Sequence, residues 1–410
     1  MKNIVITNFY GYENIGDAAI FEIAIKVINK AIPENNIHVH TATRFIASEK
    51  KLGQIKTFLH PYGIAIRTKA KPISDSKKVT RFVTVIVKSV FYSLLGKISP
   101  NLLPTHGDYS YIKSLNEADL IFGIGGGYLR TKNKYKDYFG LTLTLLPLFI
   151  AHLYDKKVLY LPMSYGNFAS KIQDKLAYNV IKNDAIIFRD EKSRDVFSKH
   201  TTKGLDTHLI PDLALFDHWK ENKKSKKDYM VVTARLWMKD SEQKRYEKQL
   251  ALFIDYVWES YKLKTVFIPM VWNKKEEDDT RVGKRILELL QNKKIFKIIS
   301  VKNPEEVKKI LAGAKVSIST RMHSAILSTI VNTPFITIAY EYKTVGFLKH
   351  LGLEKWNINI EDLSFTLIKE KFDDLMNKDY LSFKNQLTVR HLNILKKEPE
   401  LVNIIKTFSK

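Results

Sequence analysis

The chain has 410 residues, 45% of them hydrophobic, which is enough for two cores because a single core stops growing at roughly 250 to 300 residues. It contains no cysteine, which excludes disulfides, thiolate nucleophiles and cysteine metal sites. Its 67 basic and 43 acidic residues give a formal charge of +24, but no helix-turn-helix, zinc-finger or aromatic RNA-binding pattern is present. Nucleic acid is therefore not the expected partner.

The first half of the chain alternates short apolar runs with longer helical patterns, which is typical of a parallel sheet with crossover helices. The opening apolar run is too short for a signal peptide, so we expect a first buried strand and a cytoplasmic protein. An uncharged apolar segment at residues 138–154 is too short to span a bilayer and predicts a buried helix. The predicted strands are residues 3–7, 37–42, 120–123, 157–162, 185–189 and 207–210.

A second series of strands follows a polar, charged run, at residues 229–234, 265–269, 295–300, 316–319 and 335–339. The expected fold is α/β, with two doubly wound Rossmann-like domains facing a cleft, similar in architecture to GT-B glycosyltransferases. The expected division is an N-terminal α/β domain over 1–219, a linker over 220–228, a C-terminal α/β domain over 229–380, and a helical segment over 381–410 that packs back on the first domain.

Two glycine motifs follow predicted strands of the first domain. Gly11 and Gly16 allow tight turns between the first strand and its helix, with Asp17 placed to cap that helix; the spacing is not GxGxxG. The triplet of residues 125–127 follows the strand 120–123, where open α/β sheets bind ligands. Each motif fits a ligand hydroxyl, and each also fits a plain turn or close strand–helix packing.

An arginine and a histidine, Arg321 and His323, follow the strand 316–319 at the start of a helix. In an extended stretch the two side chains would share one side of the chain and reach one ligand. A fixed charge and a titratable group beside a helix N-terminus indicate an anion site with an acid/base group. A histidine packed in the core is the alternative.

Three more candidates follow other strands of the second domain. Arg235 follows the strand 229–234 and suits the second arm of an anion clamp, with an exposed salt bridge as the alternative. Tyr340 and Lys343 follow the strand 335–339 and are expected near the same site. There is no Asp-x-Asp, HExxH or GxSxG motif, and the acidic run at 276–279 is interpreted as a solvated face, so neither a metal nor another cofactor is expected.

Together these pieces resemble the polysaccharide pyruvyl transferase family, in the family's order over roughly residues 4 to 350. Two positions depart from the family pattern: residues 161–166 lack its Gln-Gly-x-Gly-Pro type of sequence, and Met322 replaces the usual leucine. The matching segments are residues 10–20, 125–127, 188–190 with Ser193, 211–214, Arg235, 319–323 and 334–347.

The resemblance implies a GT-B-like fold, phosphoenolpyruvate as donor and co-substrate, a sugar or lipid-linked saccharide as acceptor, and no metal. The implied reaction moves a pyruvyl group onto a sugar of a surface polysaccharide or its lipid-linked precursor, closing a cyclic ketal and releasing phosphate. A GT-B glycosyltransferase using a sugar nucleotide is the main alternative, and a sugar-binding protein without activity is a second.

The resemblance and the residue pattern lead to one set of expected roles. His323 is catalytic, and the donor is bound by Arg235, Arg321, Tyr340 and Lys343. Because these anion-binding groups all lie in the second domain, the acceptor is expected to be bound by Gly11, Asn14, Gly16, Asp17, Gly125, Gly126 and Gly127 of the first domain.

A basic, apolar segment at residues 69–97 predicts peripheral contact with an anionic inner membrane face. The alternative is a helix that covers the core of the first domain.

Overall fold

The computed structural model describes residues 1–43, 55–66, 75–200, 207–220, 228–236, 240–272 and 277–410. The chain forms two compact units. Unit 1 contains Met1–Gly11, Ile20–Leu213 and Glu398–Lys410, and unit 2 contains Tyr12–Ala19 and Ala214–Lys397.

Unit 1 is built on a parallel sheet in the order β3-β2-β1-β4-β6-β7-β8, with β5 paired to β6. The strand order reverses between β1 and β4, which makes their carboxyl ends the switch point of this sheet. The strands are β1 (Lys2–Phe9), β2 (Asn35–Thr41), β3 (Lys56–Leu59), β4 (Leu120–Gly123), β5 (Gly126–Leu129), β6 (Val158–Tyr165), β7 (Ala185–Phe188) and β8 (Thr207–Leu209).

In the described part of the chain, seven helices precede the second sheet, and the segment predicted at residues 138–154 forms α5, a largely buried helix with Pro147 inside it. The prediction of a buried helix there is confirmed. The helices are α1 (Ile15–Ala31), α2 (Pro61–Ile66), α3 (Asp75–Ile98), α4 (Tyr111–Asn116), α5 (Lys136–Leu153), α6 (Lys171–Ile181) and α7 (Glu191–Ser198).

Unit 2 is built on a second parallel sheet in the order β11-β10-β9-β12-β13-β14, with its switch point between β9 and β12. Its strands are β9 (Tyr229–Thr233), β10 (Lys264–Phe267), β11 (Phe296–Ile298), β12 (Val316–Ser319), β13 (Phe335–Ala339) and β14 (Asn357–Asn359). The later helices are α8 (Asp240–Tyr261), α9 (Asp279–Leu289), α10 (Pro304–Gly313), α11 (Met322–Ile330), α12 (Tyr342–Leu351), α13 (Phe365–Asp374), α14 (Tyr380–Leu395) and α15 (Glu398–Phe408).

All eleven predicted strands are present, with ends shifted by a few residues. The strands that the pattern missed are β3, β5 and β14, each only three or four residues long. Such short strands carry too few alternations of apolar and polar residues to be recognised. Of the expected linker, residues 221–227 lie outside the described residues.

The N-terminal motif lies in unit 2, although residues 1–219 were expected to form one domain. Its backbone is hydrogen-bonded to the segment after β10: Ile15 N donates to Met270 O at 2.9 Å, and Trp272 N donates to Glu13 O at 3.0 Å. These bonds flank an antiparallel bridge between Asn14 and Val271. Pairing with a distant segment, which the local sequence does not reveal, is the physical reason for the difference.

The expected boundaries near residues 219 and 381 also differ from the structure. Residues from Ala214 belong to unit 2, where Asp217 forms a buried ion pair with Lys308. Helix α14 stays in unit 2 because His391 is hydrogen-bonded to Leu215 O at 2.9 Å and the rings of Phe383 and Phe335 lie 5.3 Å apart.

Only the end of the expected C-terminal helical segment belongs to unit 1. In α15, Glu398 pairs with Lys30 at 3.2 Å, and the Phe408 ring lies 5.9 Å from that of Phe122.

Candidate functional site

The candidate site lies at the switch point of the unit 2 sheet. Arg235 follows β9, Arg321 follows β12, and Tyr340 follows β13, the next strand along. Because adjacent parallel strands end at the same sheet edge, three polar side chains that are distant in sequence are brought together there. The strand ends of an open α/β sheet are where such folds bind ligands.

Arg321 is held by a buried carboxylate. Its Nε and Nη2 donate to the two carboxylate oxygens of Asp279 at 3.1 and 2.6 Å, and the Asp279 side chain is 0% exposed. Burial lowers the pKa of Arg321, but Asp279 and then Tyr340 raise it above the ordinary arginine value. The fixed fork geometry of this pair orients the guanidinium.

The interpretation of residues 276–279 as a solvated face is therefore wrong for Asp279. This residue begins α9, and its carboxylate also accepts from Val271 N at 3.1 Å. Burial raises the pKa of the Asp279 carboxyl, and the Arg321 guanidinium opposes that rise. Asp279 was missed because the partner that makes its burial favourable lies 42 residues away in sequence.

Arg235 is 4% exposed, and its guanidinium lies over the Tyr340 ring with 4.1 Å between Cζ and the ring centroid. Burial lowers the pKa of Arg235, and the neighbouring positive charge of Arg321 lowers it further. Arginine nevertheless keeps its proton, so Arg235 stays positively charged although burial and the charge of Arg321 both disfavour its charged form. An anionic ligand would relieve both effects.

His323 lies in the first turn of α11, whose N-cap residue is Arg321. The two residues therefore span a strand-to-helix transition, and the expectation that they share one side of an extended stretch is wrong. The backbone of Gly16 lies directly against the His323 imidazole. The N-terminal motif and the histidine after β12, both candidates from the sequence, are in contact within unit 2.

The hydrogen bonds of the N-terminal motif differ from the expected ones. Asn14, rather than Asp17, caps α1, because its Oδ1 accepts from Gly16 N at 3.0 Å. Asp17 lies in the first turn and accepts from the Asn14 side-chain amide at 3.0 Å. Asn14 thus orders both the loop and the carboxylate beside it.

Two buried side chains of α8, Tyr246 and Gln243, are hydrogen-bonded to the residues that follow β12 and β9. Tyr246 and Thr320 share a hydrogen bond of 2.7 Å between their hydroxyl groups, and Gln243 Nε2 donates to Arg235 O at 3.1 Å. Sequence reasoning missed both, because on a single helix they look like ordinary core positions. Lys343, another predicted donor residue, lies half-buried in the first turn of α12.

The predicted glycines lie in unit 1: Gly11 follows β1, Gly125 lies between β4 and β5, and Gly126 and Gly127 begin β5. Gly11 and Gly126 have φ angles of 126° and 120°, which L side chains rarely adopt. A Cβ at Gly125 would stand 2.5 Å from Pro162 O. Backbone conformation and close packing are sufficient reasons for these three glycines.

A second motif of unit 1 forms a buried network. Arg189 donates to Ser164 at 2.7 Å and pairs with Asp212, while Ser164 Oγ donates to Asp190 at 2.7 Å. Asp190 also caps α7 by accepting from Ser193 N at 2.8 Å. These residues tie the ends of β6 and β7 to the segment that leaves unit 1.

Among the described residues no group of three or more His, Asp or Glu side chains is arranged to hold a metal.

The fold is shared with solved structures of low sequence identity. UDP-GlcNAc 2-epimerase from Neisseria meningitidis, bound to UDP-GlcNAc, superposes with a TM-score of 0.57 at 11% identity, covering 99% of each chain. Trehalose-6-phosphate synthase OtsA gives 0.56 at 12% identity, covering 100% of this chain and 97% of the other. The protein has a GT-B-type α/β fold with an arginine-rich site at a sheet switch point.

The model of the polysaccharide pyruvyl transferase family matches residues 14–342, and the chain belongs to this family of transferases. A curated relative, the amylovoran biosynthesis protein AmsJ of Erwinia amylovora, is 24% identical over 384 residues, which cover 88% of this chain and 89% of AmsJ. The resemblance based on the motifs is confirmed.

Proposed function

We propose that this protein moves a pyruvyl group from phosphoenolpyruvate onto a sugar of a surface polysaccharide or of its lipid-linked precursor. The product is a cyclic ketal, and phosphate is released. The observation that carries the proposal is the convergence of Arg235 and Arg321 beside Tyr340 at one sheet edge, with His323 in the next helical turn.

Two arginines suit this donor because phosphoenolpyruvate carries both a carboxylate and a phosphate. Each guanidinium offers a planar fork that matches either group. The positive end of α11 lies at the same strand end, and Lys343 lies in the first turn of α12. The donor's negative charge would offset the repulsion between the two arginines. The proposal requires no resident metal or other cofactor.

The chemistry needs a group that gives and takes protons, and His323 is suited to it. Protonation of the donor's methylene carbon makes a methyl group, and a sugar hydroxyl oxygen forms a bond to the neighbouring carbon. A second hydroxyl then bonds to the same carbon as its bond to the phosphate oxygen breaks. The hydroxyls lose two protons in all, one balancing the methyl group and one leaving with phosphate. General acid–base catalysis of this kind contributes about 10²- to 10⁴-fold.

The acceptor is proposed to contact polar groups near His323. Asn14 and Asp17 flank Gly16, which touches the histidine, and their amide and carboxylate groups suit sugar hydroxyls. Gly11 and residues 125–127, at the switch point of unit 1, remain proposed acceptor contacts. The relative AmsJ is an amylovoran biosynthesis protein, which supports a polysaccharide as the final acceptor.

The direct test incubates the protein with phosphoenolpyruvate and a panel of lipid-diphosphate saccharides. We expect phosphate release that depends on one acceptor, together with a mass gain of one pyruvyl ketal on that acceptor. Phosphate release without acceptor would indicate a contaminating phosphatase, which the His323→Gln variant controls for. Hydrolysis or transfer from a sugar nucleotide, with no reaction of phosphoenolpyruvate, would contradict the proposal and favour a glycosyltransferase.

A further inference from the structure

Helix α3 carries apolar side chains on two faces. The face that packs into unit 1 buries Val85, Ser89 and Ser93, with Phe82, Ile86 and Tyr92 packed against the core. The opposite face carries large apolar side chains that are 44% to 78% exposed, and these define the α3 stripe: Val79, Val83, Val87, Phe91, Leu94 and Ile98.

The α3 stripe is continuous. At about 100° per residue, its six members fall within an arc of roughly 120°, and at about 1.5 Å per residue the stripe is about 28 Å long. Leu102, which is 50% exposed in the turn after the helix, continues the apolar surface. A continuous exposed patch of this kind marks an interaction surface, whereas scattered apolar residues do not.

The inner face fixes α3 to the body of unit 1. Tyr111 Oη donates to Ser89 Oγ at 2.8 Å, and Tyr154 Oη donates to Ser93 O at 3.0 Å. Residues Val79–Ile98 are long and apolar enough to cross a bilayer by length and composition, and 22% of their most apolar 18-residue window is buried inside the unit. Because two tyrosines are hydrogen-bonded to its inner face, α3 lies against unit 1 and presents its other face outward.

The charges around the α3 stripe favour an anionic partner. Arg81, Lys88 and Lys97 lie on the same helix, with Lys88 and Lys97 exposed, and the sequence contains no acidic residue between Asp75 and Asp108. Two copies of such a surface would repel each other, and the formal charge of +24 adds to that repulsion. An apolar face bordered by cations fits lipid chains together with anionic headgroups.

We propose that the α3 stripe docks unit 1 in the plane of an anionic lipid bilayer, with its apolar side chains in the headgroup and acyl boundary and Arg81, Lys88 and Lys97 against the headgroups. On this proposal the inner face of α3 covers the core and its outer face meets the membrane; residues 69–74 of the segment predicted from the sequence lie outside the described residues. The inference rests on the surface of unit 1 and is independent of the proposed chemistry.

The test is flotation with vesicles of phosphatidylcholine alone and of phosphatidylcholine mixed with phosphatidylglycerol. The full chain is expected to float with the anionic vesicles, weakly with the neutral ones, and to be released by high salt. The Val87→Ser/Leu94→Ser variant should lose binding by about tenfold or more. Its matched control is Val389→Ser/Leu392→Ser on α14, a valine and a leucine of similar exposure, which should bind like wild type.

A second pair of variants tests the charges. Lys88→Glu/Lys97→Glu should lose binding to anionic vesicles, whereas Lys244→Glu/Lys248→Glu, the same charge change on the exposed face of α8, should retain most of it. The proposal is overturned by absent binding, by equal binding to both vesicle types, or by binding that survives Val87→Ser/Leu94→Ser. Self-association that this variant abolishes, without vesicle binding, would also overturn it.

Phosphate release with a soluble acceptor analogue should be unchanged in the α3 variants. Failure of the docking inference and failure of the proposed function are therefore distinguishable.

Discussion

A Cβ atom built on Gly16 would stand 2.3 Å from Nδ1 of His323, so the two residues are in contact and no larger residue fits without a shift of the ring. Side-chain Cβ atoms do not approach other heavy atoms that closely. The contact with His323 therefore explains why residue 16 is a glycine, and a larger residue there would displace the imidazole.

We expect Gly16→Ala to lower turnover by about 10²-fold, because a displacement of about 1 Å in a reacting group has an effect of that size. Phosphate release from phosphoenolpyruvate with acceptor present measures it. Gly346→Ala is the control, since a Cβ at Gly346 meets nothing within 4 Å and the residue lies in the exposed part of α12. Equal activity of Gly16→Ala and wild type would show that the imidazole position does not matter.

Asp279→Asn should affect both the donor site and the stability of unit 2. It leaves Arg321 with a neutral partner in a buried site, and breaking a buried pair costs about 3 to 5 kcal/mol. All five tryptophans lie between positions 219 and 356, so their fluorescence during denaturant unfolding reports on unit 2. We also expect a higher KM for phosphoenolpyruvate, because Arg321 loses its fixed orientation.

The control for Asp279→Asn is Glu288→Gln, which removes an exposed carboxylate from the same helix. It should change neither unfolding nor KM. An Asp279→Asn protein as stable as wild type, with an unchanged KM, would show that the pair does not hold Arg321 in place.

The strands were predictable because each is a short apolar run between helical patterns, and the strand ends then located Arg235, Arg321 and Tyr340. The pairing of Arg321 with Asp279 was not predictable, since a carboxylate in an acidic run looks solvated until its distant partner is known. That residues 12–19 belong to unit 2 was not predictable either, because their hydrogen-bond partners also lie far away in the sequence. It depends on backbone hydrogen bonds from Ile15 to Met270 and from Trp272 to Glu13 rather than on any local pattern.

Two buried histidines should make unit 1 sensitive to acid. Burial lowers the pKa of His60 to about 3 and that of His40 well below its ordinary value. His60 is held neutral, with Nδ1 accepting from Tyr62 N at 3.1 Å and Nε2 bonded to Asn8 Oδ1 at 2.9 Å. The unfolded chain binds protons at both rings below a pH of about 6.5, whereas the folded unit excludes them.

The free energy of unfolding of unit 1 should therefore be highest above about pH 6.5 and fall as the pH drops, with His60 contributing about 1.4 kcal/mol per pH unit down to its folded pKa of about 3 and His40 adding to the fall. Hydrogen exchange of the β1 and β4 amides, corrected for intrinsic rates, measures it. His60→Gln should remove one histidine's share of the slope, whereas His106→Gln, at an exposed ring, should leave the slope unchanged. An unchanged slope in His60→Gln would contradict the assignment.

Steady-state kinetics of two variants test whether His323 transfers protons while Arg321 binds the donor. His323→Gln should lower kcat for phosphate release from phosphoenolpyruvate by about 10²-fold or more with little change in the donor KM. Arg321→Lys should instead raise the donor KM, because a point charge cannot replace the guanidinium fork. Near-normal phosphate release by His323→Gln, with acceptor present, would show that His323 is a packed structural histidine and would move the search for the proton donor to Tyr340 and Lys343.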